Sequence, residues 1–266
     1  TRTELRVLKP GEKWETIFSP FGIEGSNSAK LEVSSLPSVN LEKRLDYLLN
    51  YPHGCTEQIT SAAFPQLWLK DLVKNDAEIA RRASSNIKEA INKVISRQMA
   101  NGGLAVWPGS YQPDNWITSY AGHFMLEAER QGYNISSGFR QKWIGYQQKT
   151  AREWRYDARF KYTANDQAYR LFTLALAGQP EKGAMNRLRE TTNTTHLSRW
   201  LLAAAFVTTG RPEAAGDLLD VRVTTTEPEY NYYYYGSPVR YKSIILYTLT
   251  ILKNEELALP LLKDIC

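Results

Sequence analysis

A thiol and a carboxamide stand three positions apart in the run Pro52-His53-Gly54-Cys55-Thr56-Glu57-Gln58. On a helix, residues i and i+3 are surface neighbours with Cβ atoms roughly 5–6 Å apart, so the Cys55 sulfur reaches the side-chain carbonyl of Gln58. Attack of that sulfur on the carboxamide, with loss of ammonia, gives an internal thioester, an acylating group stored within the chain. A helix that begins at this point assists the attack, because its unpaired N–H groups and the positive end of its dipole favour a nucleophilic sulfur. Gly54 lets the backbone turn tightly ahead of the helix, and Pro52 stiffens the approach. Glu57 is placed to orient the amide or to handle the proton of the departing ammonia.

Two other readings of Cys55 stand beside this one. Most lone cysteines are buried, inert thiols. Alternatively, Cys55 is a hydrolase nucleophile with His53 as its base, which requires an unusual turn across Gly54 and leaves the imidazole with no residue to orient it.

The chain must also build the scaffold that holds these residues. With 266 residues, 42% of them hydrophobic, it can bury one large core, alone or with a small appendage, and a disordered chain is excluded. The net charge of +5 comes from 33 basic and 28 acidic residues. The basic residues are scattered and form no stripe, so no nucleic-acid partner is expected. The densest basic stretch, Arg140 to Arg159, reads as a solvated helix face. Cys55 and Cys266 make no disulfide framework. No ligand spacing for a metal and no phosphate-binding glycine loop is present, so no cofactor is expected. The chain shows no signal-peptide core and no apolar run long enough to span a bilayer. It lacks an initiating methionine and stops a few residues into a helix connection, Leu261 to Cys266, and so reads as an excised piece.

Residues 1–36 alternate like strands around Leu5 and Val7, Trp14 to Phe18, and Lys30 to Ser34. They are expected to be a short β segment from the tail of a preceding domain. Residues 37–266 are expected to be the domain that carries Cys55, because the period changes to helical. Leu41, Leu45, Leu48 and Leu49 share one helical face, as do Ile87, Ile91, Val94 and Ile95. A loose repeat follows at intervals of roughly 30–50 residues: Tyr120–Gly132, Tyr169–Gly178, Trp200–Gly210 and Tyr241–Asn254. Each member opens on an aromatic residue, continues with small and aliphatic ones, and closes on Gly or Asn. Helices this apolar belong where other helices surround them. The fold expected is therefore mostly α, an α/α toroid of helical hairpins, C-terminally truncated, with polar helices such as Asp76–Gln98 outside. A stacked solenoid is the alternative.

The heptapeptide around Cys55 resembles the signature of the alpha-2-macroglobulin and complement thioester family, the bacterial branch above all. The likeness continues through Leu41–Leu48, Tyr51–Cys55, Phe64-Pro65-Gln66-Leu67, Asn101-Gly102-Gly103, Trp107-Pro108-Gly109, Trp116–Tyr120 and Tyr235–Arg240. It favours the closed toroid and implies a thioester domain of a broad-spectrum endopeptidase inhibitor. In such a protein a protease cleaves a bait region elsewhere, the thioester is uncovered, and a lysine amine of the protease attacks it. Cys55 then acts as storing thiol and leaving group, Gln58 supplies the acyl carbon, and Pro52, Gly54 and Glu57 support them. The trap is used once and is not a turnover enzyme. Its partners are proteases and the other domains of the full-length protein. The resemblance further implies a monomer, in the periplasm or at the cell envelope, membrane-anchored as a lipoprotein in some cases.

A thioester must be kept from water. The resemblance gives the shielding role to Tyr51, which alternatively only packs the first helix. The tyrosine run Tyr232–Tyr235 reads as loop packing or an interdomain contact. Of the histidines, His123 lies within an apolar helix and reads as a core residue, so direct aminolysis by lysine is expected, without an imidazole intermediate. An α/α toroid also suits a glycan-active enzyme with an aromatic-lined cleft. Trp107, Trp116, Trp154 and Tyr232–Tyr235 would then stack sugars, with Asp114 and Asp166 as candidate acids. That reading leaves the residues around Cys55 unexplained.

Overall fold

A computed structural model describes residues 54–69, 77–219 and 237–265, together with Leu49 and most positions between 4 and 33. Two compact units divide the chain, Thr1–Leu36 and Pro37–Cys266.

In the first unit the expected β segment is not found among the described residues. Ile17, Ile23, Leu31 and Val33 are exposed. Alternation makes a strand only when a neighbouring strand takes up its N–H and C=O groups. The one β-bridge among the described residues joins Gln98 to Leu104, in the second unit.

The second unit is helical. Its helices are α1 (Thr56–Ala63), α2 (Ala77–Ser96), α3 (Asn115–Arg130), α4 (Ser137–Glu153), α5 (Thr163–Leu176), α6 (Lys182–Glu190), α7 (His196–Thr208), α8 (Pro212–Gly216), α9 (Pro238–Ile251) and α10 (Glu255–Ile265). A short 3₁₀ turn, Pro65–Trp68, follows α1, and another, Ala158–Phe160, precedes α5. The helix expected from Leu41 to Leu49 lies outside the described residues except for Leu49, which is helical and buried.

Burial sorts these helices into two layers. α3, α5 and α7 are buried almost all round, from Ile117 to Ala128, Ala164 to Ala175, and Leu197 to Phe206. α2 and α4 bury one stripe each: Ala83, Ile87, Ala90, Ile91 and Val94 on α2, and Phe139, Trp143, Gln147 and Ala151 on α4. The small-residue run Ala203-Ala204-Ala205 on α7, with Ala168 and Ala175 on α5, allows the close approach of these two helices. Neighbours in the inner layer follow the order α1, α3, α5, α7, α9.

Repeated local signals start and stop the inner helices. Asp114 caps α3 by accepting the Ile117 N–H at 2.8 Å, Thr195 caps α7, and Ser237 caps α9 with Pro238 in the first turn. At the other end, Gly132, Gly178 and Gly210 adopt φ of +90°, +73° and +76°. The residue after each glycine donates its N–H back into the last turn, Tyr133 to Ala128, Gln179 to Leu174 and Arg211 to Phe206. This shared ending is the physical basis of the sequence repeat.

A stacked solenoid keeps its contacts between adjacent repeats. Here α9 reaches α3 past α5 and α7: Tyr247 lies 3.2 Å from His123 Nε2, and the Arg240 guanidinium sits over the Trp116 and Tyr120 rings. These contacts between non-adjacent inner helices fit an α/α toroid better than a stacked solenoid.

Candidate functional site

Cys55 occupies the N-cap of α1, in extended backbone. It is a free thiol, 8% exposed. Gln58, at the third helical position, turns its side chain back so that Oε1 accepts the Cys55 N–H at 3.0 Å. The sulfur in turn lies over the Gln58 backbone N–H, which completes both halves of a capping box with cysteine in the place of serine or threonine. Sulfur and carboxamide therefore share one turn. A Cβ on Gly54 would fall on the Gln58 carboxamide oxygen, so glycine here leaves that oxygen its place on the Cys55 N–H.

The start of α1 is held from outside the helix. Thr56, fully buried, donates its N–H to the Val106 carbonyl at 2.9 Å and its hydroxyl to the Ala105 carbonyl at 2.6 Å. Arg97, at the end of α2, reaches the Gly54 carbonyl at 3.4 Å and that of Val106 at 3.3 Å. Ala105 donates to the Arg97 carbonyl, Leu104 donates to the Thr118 hydroxyl of α3, and Asp114 donates its N–H to Leu104. The strap Leu104–Val106 thus ties the first turn of α1 to α2 and α3 together.

Below the turn, Phe64 packs edge-on against His123 and Phe124 and beside Tyr120. His123 is buried, as a core histidine, between the hydroxyls of Tyr169 and Tyr247 at 3.0 and 3.2 Å. Burial, with help from Arg130, lowers its pKa to about 3, so the ring is neutral. Arg170, 1% exposed, is held by the side-chain oxygens of Gln147, Gln167 and Asn115.

Of the described residues named for a sugar cleft, Trp154 and Asp166 line one cavity and the others lie apart from it. Asp114 caps α3. Asp166 is buried in the first turn of α5, where burial raises its pKa to about 7 against the pull of Arg170. Trp116 lies beneath Arg240, while Trp107 and Tyr111 are exposed. Tyr51, Pro52, His53, Tyr232–Tyr235 and Cys266 fall outside the described residues.

Thr56, Arg97 and the strap were not singled out by the sequence. Their partners lie 9 to 50 positions away, and no local pattern marks such pairs.

The two-layer helical domain thus sets a buried cysteine and an exposed glutamine on one helical turn, the arrangement that the sequence resemblance implies. Residues 28–155 match the family model "A-macroglobulin TED domain". Alpha-2-macroglobulin of Escherichia coli K12 is 35% identical over 141 residues, 48% of this chain and 8% of that protein. The cryo-EM structure of native E. coli alpha-2-macroglobulin superposes with a TM-score of 0.75 at 21% identity, covering 86% of this chain and 15% of that one. Salmonella alpha-2-macroglobulin reacted with methylamine gives 0.73 at 22% identity, over 86% and 16%. Over residues 28–155 the chain matches a thioester domain, and over about half its length it is similar to bacterial alpha-2-macroglobulin. The matched parts of the chain span only 8% of the E. coli relative in sequence and 15% in structure.

Proposed function

We propose that Cys55 and Gln58 form an intramolecular thioester and that this domain is the covalent capture element of a larger protease inhibitor. The observation that carries the proposal is the shared turn, with the Gln58 carbonyl oxygen on the Cys55 N–H. In maturation, Sγ of Cys55 bonds to Cδ of Gln58 while negative charge gathers on Oε1, where the Cys55 N–H already points. The C–N bond then breaks, and the amide nitrogen leaves as ammonia with the proton lost by the thiol.

Capture reverses the polarity of the site. A lysine amine of the attacking protease adds to the same carbonyl, the C–S bond breaks, and the proton from nitrogen returns to sulfur. An amide to Gln58 and a free Cys55 thiol remain, so each domain reacts once. Gln58 is exposed, and a stored acyl group there needs cover from Tyr51 or from other domains until bait cleavage elsewhere removes it. The methylamine-reacted Salmonella relative supports an amine as the incoming group. The full-length protein is read as a monomeric inhibitor at the periplasmic face or cell envelope, with proteases as its partners.

The test is capture itself. The full-length protein should form a covalent adduct with an attacking protease, stable to reduction and denaturation, and reductive methylation of the protease lysines should abolish the adduct. Equal adduct formation by the lysine-methylated protease would contradict aminolysis.

A further inference from the structure

Glu57 is the one member of the motif whose carboxylate is drawn toward the inner layer. Its Oε1 accepts a hydrogen bond from the Ser61 hydroxyl, one turn along α1, at 2.7 Å. The Ser61 hydroxyl is also 3.1 Å from the Tyr120 hydroxyl on α3. Ser61 has one proton, and it is given to the carboxylate, so Tyr120 must be the donor to Ser61 Oγ. The phenol is protonated in any case, and burial raises its pKa further against the pull of Ser61 and Arg240. Arg240 of α9 lies 5.6 Å from the Tyr120 ring centre, and its charge and that of Glu57 both act on the phenol. A directed chain therefore runs from Tyr120 through Ser61 to Glu57.

The chain matters because of where Glu57 sits. An acidic side chain in a first helical turn tends to fold back on the free N–H groups there. At this turn it would compete for the Cys55 N–H, and it would bring negative charge to the place where the carbonyl oxygen becomes negative during attack. We propose that Ser61 and Tyr120 are positioning residues for the acyl group: acting through Glu57, they hold its carboxylate inward and leave the Cys55 N–H to the Gln58 carbonyl oxygen. This rests on the thioester reading above.

The experiment uses the full-length protein and the variants Tyr120→Phe, Ser61→Ala and Ser61→Thr, each alone and with Glu57→Gln. Intact mass gives the fraction lacking one ammonia, thiol release gives the rate of methylamine aminolysis across pH, and thermal midpoints are read in parallel. Loss of one hydrogen bond to a charged group at this site should slow aminolysis by about tenfold. Tyr120→Phe and Ser61→Ala should each show that loss, Ser61→Thr should restore the rate, and neither loss should recur in the Glu57→Gln background. Tyr120→Phe keeps the ring against Phe64 and so reports alone if Ser61→Ala does not fold. Unchanged aminolysis with only a lowered thermal midpoint would overturn the proposal, and so would equal losses with and without Glu57. A wild-type protein of full mass that releases no thiol would instead overturn the thioester reading, and this proposal with it.

Discussion

At the start of α3, the Asp114 carboxylate takes the Ile117 N–H at 2.8 Å. At the start of α1 the same position is held by Cys55, whose sulfur is a weak acceptor. Ser136, Thr195 and Ser237 cap α4, α7 and α9 with hydroxyls, whereas α1, like α5, α6 and α8, has no side-chain oxygen bonded at its cap. The cap that α1 gives up is worth about 1 kcal/mol, and the shortfall is met by Thr56, Arg97 and the strap. One helix start is built for stability and the other for a nucleophile. The start of α5 offers a third case, where Asp166 is buried in the first turn with Oδ1 lacking a hydrogen-bond partner among the described residues.

Exchanging the caps gives the largest expected effect. Cys55→Ser should abolish all reaction with methylamine, measured by thiol release and mass, while leaving the unreacted fold equal in stability or better by about 0.5–1 kcal/mol in urea unfolding. A Cys55→Ser protein that unfolds more readily than amine-treated wild type would break the contrast. Gln58→Glu should be as inert, because its carboxyl has no ammonia to lose, yet it keeps an oxygen for the Cys55 N–H and should unfold at the urea concentration of the amine-treated protein.

Asp166→Asn should act on stability alone and only in part of the pH range. In the folded chain burial raises the Asp166 pKa from 3.8 to about 7. The native state therefore holds an extra proton between those values, and stability from this group falls as pH rises toward 7. His123 runs the other way, because burial lowers it from 6.5 to about 3. The unfolded chain binds the extra proton there, and stability rises with pH up to about 6.5. Over the shared range the two slopes oppose. Replacing Asp166 should uncover the His123 slope between about pH 4 and 6.5, and should stabilise the protein at pH 8 by about 2 kcal/mol. Urea midpoints at the two ends of that range check both signs.

The smallest effect belongs to the ordinary cap. Asp114→Ala should cost about 1 kcal/mol of stability and leave the rate of methylamine reaction unchanged once the protein is folded. A slowed reaction would show that the α3 start and the strap above it control the acyl group directly.

These contrasts also mark what the residues disclosed in advance. Inner helices were legible from their apolar, small-rich bodies, but their starts were read late: α3 begins at Asn115 and not Tyr120, α5 at Thr163 and not Tyr169, α7 at His196 and not Trp200. Each first turn carries polar residues, Asn115 and Thr118 in α3, Asn165 and Asp166 in α5, and His196 and Ser198 in α7, so the aromatic-led apolar run starts only after it. The strand-like alternation of residues 1–36 has no strand to match it among the described residues, because period alone says nothing about a pairing partner. At the site, Cys55 and Gln58 were readable because i,i+3 spacing is local. Ser61, Tyr120 and Arg97 were not, since their roles depend on which helices come to lie beside α1.

The most direct measurement is a peptide map of the native full-length protein before and after methylamine. Before treatment, the peptide holding Cys55 and Gln58 should be lighter than its sequence by one ammonia and carry no titratable thiol. Afterwards it should carry one methylamide on Gln58 and one free thiol on Cys55. A native peptide of full sequence mass, with a thiol that reacts at once and no amide gained from methylamine, would contradict the stored acyl group.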